Sequence, residues 1–197
     1  MAFTETTEPV PAELRTGEFT VRPIVVADTE RDYAAVMETR EDLRLWRQTA
    51  WPEDGFMVEE NREDVVDMEE RHAAHRAFNY TVVDPAGSTC LGCVYVFPTS
   101  ATFLAKCGVT AVDGDEWSEV DAVVFFWVRL PQRKAGMDGR LLDALRVWFR
   151  DVWKFEKTGY ATSETFRQQV ELLNGTDLTV KFELDEPGKA GKRLVFG

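Results

Sequence analysis

The stretch DAVVFFWVRL, Asp121 to Leu130, carries seven apolar residues in an unbroken row. The run is too short to span a bilayer and has the length of a strand. A strand with one wet face would alternate apolar with polar residues, so an unbroken row predicts a strand buried on both faces. Such a strand needs a layer of structure on each side. That requirement restricts the chain to mixed α and β elements packed around one sheet.

The remaining pattern supplies those layers. EFTVRPI alternates and reads as a first strand ending near Pro23. ADTERDYAAVMETREDLRLW follows as one helix, with Asp28 or Thr29 as its cap and Tyr33, Val36 and Met37 inward. VEENREDVVDMEERHAAHRA is a second, highly charged helix with a sparse stripe of Val58, Val65 and Met68. FNYTVVD and TCLGCVYVFP flank the turn PAGS as an antiparallel hairpin. Residues 98–119 carry no clear pattern and read as a loop or excursion. After the apolar strand, Leu141, Leu142, Leu145, Trp148, Phe149, Val152 and Trp153 recur at helical spacing. GYATS is a short strand, ETFRQQVELLNG a helix, and LTVKFEL with RLVF a closing hairpin. The expected class is α/β with a mixed sheet, and the strand–helix–strand unit of the second half is expected as a parallel crossover.

At 197 residues one substantial core is expected. Residues 1–17 are polar and proline-bearing and read as a flexible N-terminal tail, leaving 18–197 as a single domain. With no signal-like segment and no long apolar run, the expectation is a cytoplasmic protein that does not enter membranes. The 35 acidic residues outnumber 23 basic ones for a net charge of −12. This leaves no large basic surface, so a nucleic-acid partner is not expected. Acidity could draw a cationic amine, or simply confer solubility. Cys90 and Cys93 have CxxC spacing but lie in a strand, where residues three apart point to opposite faces. No second CxxC exists, so buried structural cysteines are expected and no metal site. The six tryptophans sit mostly at apolar-periodic positions and are expected in the core.

Directly after the apolar strand comes QRKAGMDGRLL. Two glycines at a helix start allow close backbone approach and positive φ, and the first N–H groups of the helix attract anions. Arg133, Lys134 and Arg140 add positive charge suited to a phosphate. The same residues also read as an ordinary helix start, with Asp138 as the cap. Local chemistry alone leaves both readings open.

The element order, and the run FFWVRLPQRKAGMDGRLLDALRVWF in particular, resemble the GNAT superfamily of acyl-CoA-dependent N-acyltransferases. The two helices before the hairpin resemble its Rim-type branch, which acetylates protein N-termini and small amines. The likeness in element order runs from about Glu18 to the C-terminus. In that family the fourth strand leads into an R/Q-x-x-G-x-G/A turn that holds the CoA pyrophosphate. Here Arg133 and Gly136 match, and Asp138 stands in the third position. The resemblance implies a cofactor-binding stretch Arg133, Lys134, Ala135, Gly136, Met137, Asp138, Gly139 and Arg140. It also implies that backbone groups of Trp127, Val128 and Arg129 hold the pantetheine and polarise the thioester. Acetyl-CoA would be the co-substrate, with a small-molecule or peptide amine as acceptor; monomer and homodimer both stay open.

A general base of the family often lies on the fourth strand, at a position that Val123 occupies here. Asp121 and Glu119 alternate along the same face and are the candidates to replace it, or they form a solvated strand start. The tyrosine that serves the family as general acid aligns with Leu173. These departures keep open a GNAT-fold protein that binds or regulates without catalysis. His72 and His75 share a helix face, either as a base at the acceptor cleft or as a solvated pair. Trp46, Trp51 and Phe56 are candidate lining residues of that cleft, and loop packing accounts for them equally.

Overall fold

The central strand of the fold, β6 (Ala122–Val128), is buried at every position. Its side chains divide the interior in two: Ala122, Val124, Phe126 and Val128 face one core and Val123, Phe125 and Trp127 the other. This computed structural model describes residues 3, 9–112 and 114–197. Part of the segment expected as a tail (1, 2 and 4–8) lies outside the described residues, whereas Leu14–Arg15 form a short strand, β1.

In chain order, β1 is followed by β2 (Thr20–Pro23), α1 (Thr29–Glu38), α2 (Arg40–Arg47) and α3 (Val58–Ala73). Next come β3 (Phe78–Val83), β4 (Cys90–Phe97), β5 (Gly108–Ala111), β6, α4 (Leu130–Lys134) and α5 (Met137–Trp148). The chain ends with β7 (Thr158–Ser163), α6 (Arg167–Asn174), β8 (Val180–Asp185) and β9 (Arg193–Phe196). One mixed sheet of nine strands runs β1-β2-β3-β4-β6-β7-β9-β8-β5. β6 and β7 pair in parallel, as expected for a strand–helix–strand unit. α5 covers one face through Met137, Leu141, Leu142 and Leu145, with Leu173 of α6 beside them. α1 and α2 cover the other through Ala35, Val36, Leu43 and Trp46. Each fully buried Leu of α5 contributes about 1.5–3 kcal/mol of burial free energy.

Several details depart from the expectation. The first helix is broken at Thr39, whose backbone leaves helical geometry (φ −108°, ψ 7°). Thr39 is buried, and its hydroxyl accepts the N–H of Leu130 at 3.1 Å, tying the break to the end of β6. The segment 98–119 is not only loop, because β5 within it adds an edge strand to β8. Beyond Trp148 the last turn of α5 widens to a π-turn at Phe149–Trp153. The wider turn shifts the helical register, so Val152, expected inward, is 53% exposed while Phe149 stays buried.

The largest departure is in β4. Val82 pairs with Gly92 and Val83 with Cys90, so Leu91 is an extra residue in the ladder. This bulge reverses the alternation behind it, and Cys90 and Cys93 face the same core. The expectation that they point apart is therefore corrected: it assumed an unbroken strand. Gly92 makes the bulge feasible. Its φ is +157°, and a Cβ there would run into the carbonyl oxygen of Trp127 across the ladder.

A buried acid anchors the start of α1. Asp28 is fully buried; its carboxylate accepts bonds from Arg22 at 2.7 and 2.8 Å and from the Val25 N–H at 3.0 Å, and pairs with Arg31 at 3.0 Å. Burial alone would raise its pKa, but the Arg22 bonds and the Val25 N–H outweigh that and hold it below the ordinary value of 3.8. The charge therefore stabilises the fold above the ordinary value and ceases to do so as pH falls through the depressed one.

Two outcomes test this architecture. Gly92→Ala is expected to destabilise the protein by about 3 kcal/mol in urea unfolding, because the β4–β6 ladder must open to admit the methyl group. The stability advantage of wild type over Asp28→Asn should be constant at neutral pH and shrink in urea titrations below the ordinary carboxylate value; an advantage independent of pH would contradict the role given to Asp28.

Candidate functional site

β6 and β7 pair only from Ala122↔Thr158 to Val124↔Tyr160 and then part. By strand alternation, Phe126 and Val128 turn their backbone groups into the gap, while Trp127 and Arg129 turn theirs toward β4. The Arg129 N–H is bonded to Leu91 O at 2.7 Å. Trp127 and Arg129 thus belong to the β4 side of the strand, contrary to the pantetheine contacts expected of them. Val128 does face the gap.

The expected anion nest lies at the mouth of this gap. A short helix, α4, intervenes between β6 and the nest, with Pro131 in its first turn. Gly136 caps α5 in the left-handed conformation (φ +73°), so Asp138 is not the N-cap. Asp138 lies in the first turn instead and is 6% exposed. One carboxylate oxygen accepts the Gly139 N–H at 3.1 Å, the other the Gln168 amide at 2.5 Å. Its negative charge sits where the positive end of the helix dipole and its unpaired N–H groups would draw an external anion.

The nest's cations have internal partners. Arg133 pairs with Asp42 of α2 at 2.7 Å, both side chains about one-fifth exposed. Arg140 makes two 2.7 Å bonds to Glu18 and also donates to the carbonyls of Ala135 and Gly136. Glu18 is held below the ordinary carboxylate value, chiefly by its hydrogen bond to Arg140. Both side chains of that pair are nearly half exposed, so it is weak and open to exchange. Arg129 pairs with Glu38. Lys134 is exposed, Met137 is core, and Gly139 is half-buried.

Deeper in the gap, Gln169 replaces a missing strand neighbour. Its amide donates to Phe126 O at 2.9 Å and accepts from the Thr162 hydroxyl at 2.7 Å. With Gln168, Phe166, Trp46 and Thr39 it leaves a cavity of about 10 Å³. That is room for about one water. In this arrangement the Gln169 amide occupies the gap beside Phe126 O, and the Asp138 carboxylate occupies the first turn of α5.

Asp121 and Glu119, expected on β6 as candidate bases, do not meet the nest. Asp121 precedes β6 at the opposite end and accepts the N–H groups of Glu156 and Lys157 at 2.7 and 2.8 Å. Glu119 pairs with Lys157 at 2.5 Å. Val123 and Leu173 are fully buried in the cores. His72 is half-buried and accepts the Asn79 N–H at 3.2 Å, so it is not part of a solvated pair. Burial lowers its pKa.

On the other face of β6 an open cleft of about 350 Å³ is lined by Trp46, Arg47, Trp51, Asp64, Tyr95 and Phe125, among others. Trp46 also lines the small cavity and stands between the two. Tyr95 accepts the indole N–H of Trp127 at 3.1 Å, and burial raises its pKa well above the ordinary range. Burial raises Asp64 too, with Asp67 adding to the effect and Arg47 opposing it. Arg47 stacks over the Trp51 ring at 4.4 Å. Of the expected lining residues, Trp46 and Trp51 face this cleft, and Phe56 packs on Trp51 at 5.6 Å. The larger cavity, about 640 Å³, lies at the far end of β6 and β7 beside Arg146, Lys157 and Tyr160, away from the nest.

Asp42, Gln168 and Gln169 were not among the expected site residues. QQ in ETFRQQVELLNG is the visible sign, since two amides open a short helix directly after a strand. No spacing rule assigns them to Asp138 and Phe126, 30 and 43 positions away.

No family model matches the chain, and no curated protein matches it significantly. Solved structures do. The ribosomal-protein-S5-alanine acetyltransferase from Vibrio fischeri is 16% identical, with a TM-score of 0.66 over 94% of this chain and 95% of that one. The ribosomal L7/L12 alpha-N-protein acetyltransferase RimL, in complex with coenzyme A, is 11% identical, with a TM-score of 0.67 over 93% and 96%. The microcin C7 self-immunity acetyltransferase MccE, in complex with acetyl-CoA and AMP, is 11% identical, with a TM-score of 0.67 over 92% of each chain. Over nearly its whole length, the chain has the fold of these acetyltransferases, the GNAT fold.

Proposed function

We propose that the chain is a cytoplasmic GNAT-fold binding protein whose acyl-donor cleft is filled by its own side chains. The observation that carries this reading is the network of Asp138, Gln168 and Gln169. It supplies from within both the anion for the helix end and the donor for the strand carbonyl. The open aromatic cleft is the ligand site in this reading. Its volume suits a small molecule or the end of a peptide. Its lining carries both signs of charge, Asp64, Asp67 and Glu186 beside Arg47, Arg71, Lys189 and Arg193, so the aromatic faces of Trp46, Trp51, Tyr95 and Phe125 rather than net charge define the ligand it takes.

A second reading is favoured by the likeness to acetyltransferases over more than nine-tenths of the chain. In it, the protein transfers an acetyl group from acetyl-CoA to a primary amine of a small molecule or peptide bound in the aromatic cleft. Gln169 and the Asp138 carboxylate would then have to withdraw. Asp121 and Glu119 would act only if the acceptor amine reached the far end of β6.

Calorimetric titration with acetyl-CoA separates the two. The binding-protein reading expects no saturable heat from wild type at millimolar acetyl-CoA. It expects measurable binding by the double variant Asp138→Gly/Gln169→Ala, at least about tenfold tighter than wild type. Micromolar binding by wild type, weakened by Asp138→Gly, overturns it and leaves the acetyltransferase.

A further inference from the structure

The bulge in β4 creates a polar cluster that neither clefts nor fold account for. Asp32 of α1 and both cysteines of β4 are buried, and their ligand atoms all lie within 4.8 Å of one another. Asp32 Oδ1 lies 3.2 Å from Cys93 Sγ and 3.9 Å from Cys90 Sγ. Zinc bonds of about 2.3 Å to sulfur and 2.0 Å to oxygen in a tetrahedron place such atoms about 3.5 Å apart. The two observed separations bracket that edge.

The surroundings have the composition of a ligand shell. The second oxygen of Asp32 accepts the Asn61 amide at 3.0 Å, and Asn61 is itself held by Thr29 O at 3.2 Å. Metal-ligating carboxylates are typically oriented by such a neighbour. Gly92 O and the Thr81 hydroxyl lie 3.4 and 3.6 Å from Cys90 Sγ, so neutral oxygens are available for a fourth position. Among the described residues no cation pairs with this carboxylate: Arg22 and Arg31, the nearby guanidinium groups, are on Asp28.

We infer that Asp32, Cys90 and Cys93 form a closed structural site for a divalent cation of zinc type, joining α1 to the bulge of β4. Two thiolates and a carboxylate select a borderline-soft metal over calcium or magnesium. On binding, the two thiol protons leave to solvent and no redox step is involved. Full burial means that the ion enters as the chain folds.

The test is metal content in untagged protein from zinc-supplemented culture, measured by plasma mass spectrometry. Wild type and the control Cys107→Ser, a cysteine outside the cluster, should carry about one zinc per chain. Cys93→Ser and the isosteric Asp32→Asn should fall below about 0.1. Wild type refolded with Co²⁺ should show sulfur-to-cobalt charge-transfer absorption, which decides the matter if the variants do not fold. Zinc-free wild type lacking that absorption, or Cys93→Ser retaining full zinc, overturns the site.

Discussion

A carbonyl buried where two parallel strands part must find a donor, and Phe126 O is such a carbonyl. A buried, unbonded backbone group costs roughly 1–3 kcal/mol, so the gap between β6 and β7 cannot stay empty and dry. Elsewhere in the sheet a neighbouring strand meets that demand. Here Gln169 meets it, anchored in turn by Thr162. The neighbouring positions follow from that substitution. Gln168 is carried on the same helix to Asp138, and Asp138 supplies the charge that the end of α5 attracts. The gap becomes part of the protein interior.

Electrostatics reinforce the same closure. Arg133 and Arg129 have the character of phosphate-binding groups, yet each is met by an acid from the α1–α2 segment, Asp42 and Glu38. The break at Thr39 lies between those two acids in sequence. It also bonds the start of α4, so one irregular residue fixes both helices relative to the end of β6. Trp46, at the end of α2, then stands as the wall between the filled gap and the open aromatic cleft. A strand-edge requirement, a helix break and two ion pairs thus act as one unit.

Local pattern revealed much of this architecture. The apolar run placed β6 at the centre, the PAGS turn placed the β3–β4 hairpin, and the leucine spacing placed α5. What it could not reveal depends on partners far apart in the chain. Arg133 and Asp42 are separated by 91 positions, Arg140 and Glu18 by 122. Nothing near an arginine indicates which acid it will meet. The bulge at Leu91 escaped for another reason: CLGCVYVF is apolar throughout, so no polar residue marks where its alternation slips. Only Gly92 hints at it, through the close approach to Trp127 O that no other residue tolerates.

That slip works as a frame shift in space. On either side of Leu91, β4 is read in opposite phase, so an odd separation in sequence becomes a shared face. Deleting one residue at the bulge would restore a regular strand. Cys90 and Cys93, then two positions apart, would keep their shared face, whereas their present spacing in an unbulged strand would turn Cys90 toward the α5 side of the sheet and leave Asp32 facing a single sulfur. The meeting of two thiols and an acid is therefore encoded by neither cysteine, but by the count of residues between them and the strand partner opposite.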